Sequence, residues 1–175
     1  ELFNRLVIAA NGQMDTQIRH KYQRVFNVCT EKYIGDYAGQ DLLTMLKRKE
    51  EIDVDSHFTT IRKIIEDIFT TFSKFQLIPI DFVSPQVALN ESSKFLAGVN
   101  GKNELFVEKG FQHLEGTHLP QEIATYIRNI LFITQPGAHR SNIDAFVKEQ
   151  KTTYLFNSVL FQLLDLIVWV KEYID

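Results

Sequence analysis

An all-α helical bundle is the fold this sequence predicts, and three observations carry that reading. From Met14 onward apolar residues recur every three or four positions, the mark of helices with one buried face. Long runs of alternating apolar and polar residues, which would mark half-buried strands, are missing. Apolar residues make up 45% of the 175, and fourteen are Phe, enough for a sizeable core in one domain. The expected architecture is about four main core helices preceded by short N-terminal helices.

Glu1 to Ala10 is short and reads either as a strand or as the tail of a preceding segment, closed by a turn at Asn11-Gly12. Residues 1–13 are therefore set apart as a leader, and 14–175 as the bundle. Met14 to Ile34 reads as a helix with Ile18, Tyr22, Val25, Phe26, Cys29 and Tyr33 on one side. Gly35 and Gly39 bound the next turn. Gln40 to Glu51 follows as a short helix, whose Lys47-Arg48-Lys49 run suits the negative end of a helix dipole. Ser56 is placed to cap the next helix. Its stripe of Phe58, Ile61, Ile65, Ile68, Phe69, Phe72 and Phe75 reads as core rather than cofactor lining, and Arg62 and Glu66, four apart, can pair.

Pro79 ends that helix. Ser84-Pro85 is a capping residue with Pro at the first helical position, and the helix it starts should run to about Gly98. Gly98 to Gly116 holds four glycines and is the least regular stretch, with Leu105-Phe106-Val107 as a short strand or a core-anchored loop. Thr117 to Pro120 opens a helix with Ile123, Ile127, Ile130, Leu131 and Thr134 on its inner side, and Pro136-Gly137 stops it. The final helix, about Lys151 to Tyr173, is the most apolar and is expected at the centre of the core. Tyr154 to Val170 approaches membrane-span length but carries Asn157, Gln162 and Asp165, so it reads as a buried helix rather than a membrane one.

Charge and cysteine content narrow the functional classes. A net charge of −3 gives no broad electrostatic footprint for nonspecific nucleic-acid binding, so RNA contact has to use a local basic patch. Cys29 is the only cysteine, which excludes an intrachain disulfide and points to a reducing, cytoplasmic setting. The chain begins at Glu1 without a secretory leader and reads as a piece cut from a longer protein.

Most catalytic patterns are missing. There is no phosphate loop, no dinucleotide glycine fingerprint and no Ser-His-Asp or Cys-His set. His113 and His118 do not share a helix face, so neither a metal nor another cofactor is expected. His20 and His57 each stand alone and read as surface or cap residues, and Cys29 as a small hydrophobe. What remains is Arg128-Asn129 near the end of one helix and His139-Arg140 in the turn before the last. A histidine can move a proton near neutral pH, and an arginine can hold a scissile phosphate with two parallel bonds. The amide of Asn129 can orient the partners. Without metal, such a set suits RNA, whose 2′-hydroxyl supplies the nucleophile. The plainer reading gives Arg128 a carboxylate partner, Glu66 or Asp165, and gives His139 a carbonyl at a helix end.

The chain resembles the HEPN superfamily, the helical domains of abortive-infection, toxin and RNA-processing systems, and in particular its restriction-associated branch. The resemblance rests on Arg62-Lys63-Ile64-Ile65-Glu66, on Gln135-Pro136-Gly137-Ala138-His139, and on the apolar helix Leu160 to Trp169, and it covers about residues 56–175. It implies a metal-independent ribonuclease, with Arg128 as the arginine, Asn129 as its polar neighbour and His139 as the histidine. Ten residues separate Arg128 from His139, more than the short spacer of the family, and Arg140 stands as an alternative arginine. The resemblance also implies a homodimer whose catalytic groups face one another, a defence or stress role, and an antitoxin or adjoining domain as partner. Two rival readings stay open: a non-catalytic helical dimerisation or interaction module of a larger defence or restriction protein, and a helical ligand-binding domain. A nuclease predicts arginine and histidine together in an open cleft. A module predicts an exposed apolar face, and a ligand domain a closed pocket lined by Phe.

Overall fold

The computed structural model describes residues 2–50, 54–78, 80–83, 88–98, 119–134 and 153–175. Among these the fold is all-α: seven α-helices, one 3-10 turn and no strand. The helices are α1 (Leu2–Lys21), α2 (Gln23–Phe26), α3 (Asp36–Lys47), α4 (Val54–Lys74), α5 (Leu89–Leu96), α6 (Gln121–Thr134) and α7 (Tyr154–Ile174), with the 3-10 turn at Ile80–Phe82.

The centre is α7. Its buried residues Phe156, Val159, Leu160, Leu163, Leu164, Leu166, Ile167 and Val170 wrap more than one face, so neighbours are needed on several sides. α4, α6 and α2 supply them, and α4 also packs on α6. α7 is long and apolar enough to cross a membrane by length and composition alone, and 44% of that stretch is buried inside the fold. From α4 come Phe58, Ile61, Ile65, Ile68, Phe69 and Phe72, all buried as the spacing predicts, while Phe75 packs at the edge. α6 contributes Ile123, Ile127, Ile130, Leu131 and Thr134, again the predicted inner side. α5 closes on α6, and α3 on α4.

The N-terminal third departs from the sequence reading. Asn11-Gly12 does not make a turn, because α1 runs unbroken from Leu2 to Lys21. Intrahelical hydrogen bonds absorb a single glycine at a cost of about 1 kcal/mol. Met14 to Ile34 is not one helix either. The chain leaves helical geometry at Tyr22 (φ −110°, ψ 32°), makes the single turn α2, and then folds through turns up to Gly35. Those turns sink Val28, Cys29, Tyr33 and Ile34 into the core, which a continuing helix would carry past it. The Thr71 hydroxyl of α4 donates to the Tyr33 carbonyl at 2.9 Å, and Lys74 to the Glu31 carbonyl at 2.8 Å, fixing the segment.

Gly35 opens α3 at φ 85°, a left-handed conformation that favours glycine. Gly39 lies inside α3 rather than bounding a turn. A Cβ there would meet the Cβ of Cys29 at 2.9 Å, so the missing side chain lets α3 approach the turns. α4 begins at Val54, which puts Ser56 in its first turn instead of at its cap. Arg62 and Glu66 do not form the expected ion pair. Arg62 Nη1 is buried without a hydrogen-bond partner, and burial pulls the guanidinium below its ordinary range, with Glu66 opposing that only at longer range. The expected Pro79 stop, Ser84-Pro85 start, Gly98 to Gly116 irregularity and Pro136-Gly137 stop all fall on residues outside the described set.

Two outcomes follow from this packing. Leu163 is fully buried on α7, so Leu163→Ala lowers stability by about 2–5 kcal/mol through the cavity it leaves, read as a shifted midpoint in denaturant unfolding. Asp67 gives a pH signature. Burial, with help from the charges of Glu66 and Asp41, pushes its carboxyl up to about 6. A carboxyl whose folded value is raised binds its proton more tightly in the native state. Stability from this group is therefore full below about pH 4 and is lost as pH rises through 6. Because the group is half-exposed, the effect is screened to about 1 kcal/mol. Asp67→Asn is expected to be more stable than the parent by that amount at pH 7.5 and equal to it near pH 3.5, measured by urea unfolding at both pH values.

Candidate functional site

α6 is amphipathic, and its two faces have separate roles. The apolar positions face α4 and α7, while Gln121, Thr125, Arg128, Asn129 and Phe132 recur at helical spacing on the other side. Pro120 sits just before the first turn, and its carbonyl accepts the Ala124 amide at 3.0 Å. With Ala97 from the end of α5, the outward residues line an open groove of about 460 Å³.

Arg128 lines this groove half-buried and forms no ion pair with any described carboxylate. Neither Glu66 nor Asp165 takes it, although the sequence offers both. Asn129 is anchored instead to α7: its amide donates to Gln162 Oε1 at 2.6 Å, and Gln162 in turn donates to the Ser158 hydroxyl at 3.4 Å. This chain uses one of the two amide hydrogens of Asn129 and leaves the other for the groove. Phe132 stands one helical turn beyond Arg128 on the same wall and is 54% exposed. A guanidinium facing an open groove can take a phosphate through two parallel N–H bonds.

Of the four residues singled out in the sequence, Arg128 and Asn129 therefore share one groove wall. His139 and Arg140 lie outside the described residues. His20 is exposed at the end of α1, where it lines a second groove with Lys21, Arg24 and Phe161. His57 is not a surface residue: it is buried and stacks on Phe156 with ring centroids 4.5 Å apart. Cys29 behaves as expected of a small hydrophobe. Burial pushes its thiol up to about 12, and its Sγ bonds the Val25 carbonyl at 3.4 Å, so it is no thiolate nucleophile. Among the described residues no group of His, Cys, Asp and Glu is placed to hold a metal. Nor does a closed Phe-lined pocket occur among the described grooves, which are all open.

Phe132, Gln121, Thr125 and Gln162 were not singled out as site residues. Gln162 did carry a signal, being an amide in the most apolar helix of the chain. Phe132 carried one too, since it falls on the polar side of α6, four residues from Arg128. Comparison of the chain with protein-family models, with curated proteins and with solved structures found no match.

Proposed function

We infer that this chain is a HEPN-like helical domain that binds RNA in the groove between α5 and α6 and cleaves it without a metal ion, in a defence or stress response. The observation that carries the reading is Arg128, on the wall of an open groove and unpaired with any described carboxylate. A guanidinium held beside carboxylates spends its charge on them. One left facing a groove is available to an anion. A single strand supplies a phosphate for Arg128. The net charge of −3 then restricts binding to this local contact.

For cleavage, His139 takes the proton of the 2′-hydroxyl as its oxygen bonds to phosphorus. The bond from phosphorus to the 5′-oxygen breaks, and the proton passes to that leaving oxygen. Arg128 neutralises the charge that builds on the phosphorane, and Arg140 stands beside His139 in sequence for the same purpose. The products are a 2′,3′-cyclic phosphate and a 5′-hydroxyl.

The non-catalytic interaction module is the second reading, and the exposed apolar side chains of α1 favour it. The two separate in one assay, in which single-stranded and structured RNAs are incubated with excess chelator. Under the ribonuclease reading, wild type cleaves, His139→Ala loses activity, and Arg128→Ala falls about 100-fold or more in kcat/KM. Arg128→Ala also lowers the salt slope of binding by about 0.7. A folded wild-type protein that neither binds nor cuts any RNA leaves the interaction module standing. Cutting by His139→Ala at the wild-type rate assigns the activity to a contaminant.

A further inference from the structure

We propose that the groove where the first turn of α6 meets the last turns of α7 binds an arginine side chain of a partner protein. α6 and α7 run antiparallel, since Asn129 meets Gln162 while Tyr126 meets Trp169. Continuing that order brings Pro120, Glu122 and Ile123 beside Trp169, Glu172 and Tyr173, and these six line an open groove of about 330 Å³. Such a volume is at the small end of ligand pockets and suits one side chain. Two of the lining residues are aromatic and held still. The indole of Trp169 stacks on Tyr126, with ring centroids 4.8 Å apart and planes 18° from parallel. Tyr173 meets Phe72 edge to face at 6.1 Å. Rings fixed in this way need little further ordering when a ligand arrives.

Charge selects the occupant. Glu122 and Glu172 are both exposed at the groove. Glu122 forms no ion pair with any described cation. Glu172 already holds one guanidinium, that of Arg24, through a single Nη2–Oε1 bond at 2.9 Å. Both side chains of that pair are more than half exposed, so the bond is a weak surface contact, and a carboxylate can accept further N–H groups on its second oxygen. Two carboxylates beside an indole and a phenol ring attract a cation, by charge and through the ring faces. They repel phosphate, so the groove is no extension of the surface around Arg128, and an anionic headgroup is turned away with it. A quaternary ammonium has no N–H to give these carboxylates, and the groove is open rather than a cage. A planar guanidinium meets both demands, stacking on a ring while its N–H groups reach carboxylate oxygens. The occupant is therefore an arginine displayed by a basic segment of another protein.

The site does not include Arg128, and its test does not depend on RNA cleavage. Trp169 is the only tryptophan of the chain, so a single indole N–H resonance reports on the groove directly. The 175-residue protein is titrated with the capped peptide acetyl-Gly-Gly-Arg-Gly-Gly-amide. A saturable shift of the indole resonance is expected, with a midpoint of about 1 mM. The same peptide with citrulline keeps the shape and loses the charge. It is expected to bind about tenfold more weakly, because one cation–π contact and two surface ion pairs each add a few-fold. Glu122→Gln is expected to weaken the arginine peptide about threefold, with the far-ultraviolet circular dichroism unchanged. An indole resonance that stays still up to about 20 mM peptide overturns the proposal. So does equal binding of the arginine peptide and its citrulline or lysine counterpart, or binding unaffected by Glu122→Gln. Tetramethylammonium that binds as tightly as the arginine peptide, or a single-stranded RNA that moves the indole resonance at lower concentration, overturns it as well.

Discussion

A helix apolar on more than one side cannot be a surface helix, and α7 imposes that condition on the rest of this molecule. Once Leu160, Leu163 and Ile167 must all leave water, α4, α6 and α2 have to surround them. The same helix carries Gln162, half-buried, in its middle. Asn129 partners that amide at 2.6 Å, while the buried positions Ile127, Ile130 and Leu131 set how α6 is rotated on α7. The rotation turns Arg128 and Phe132 outward together. The groove is thus a by-product of burying the apolar side of α6.

The sequence revealed those features whose cause is local and periodic. The buried faces of α4 and α6 were readable residue by residue, since a 3.6-residue repeat needs no knowledge of what packs against it. Turn signals were less dependable. Asn11-Gly12 looked like a stop because that pair often is one, yet the surrounding residues are good enough helix formers to run through it. The break at Tyr22 had no punctuating residue at all. It arises because the Val28 to Ile34 turns are pulled into the core by α4, a demand made by residues some forty positions away. His57 failed for the same reason: nothing in its neighbourhood announces the ring of Phe156, about a hundred positions later.

The candidate site was readable in its chemistry and hidden in its surroundings. Arg128 and Asn129 could be picked out by residue type, but not the partner of either. Asn129 is tied to α7 through Gln162, and Arg128 faces the groove. Phe132 was passed over because an apolar residue near the end of an apolar helix is core by default. The inner face on Ile127, Ile130 and Leu131, already legible in the spacing, turns it the other way.

The polar ties at the far end of α7 carry a consequence for the order of assembly. Arg24 binds Glu172 at 2.9 Å across 148 positions, and the Tyr33 hydroxyl donates to Asp175 at 2.7 Å across 142. Val25 and the turns after α2 are sealed by the same helix. Such distant contacts are entropically dear to close and form late. On a ribosome the first of these segments emerge long before the helix that completes them, and at about 5–20 residues per second they wait for many seconds with apolar surface open to water. The core around α2 therefore stays open until α7 has been made, which is when its early segments are most in need of shelter.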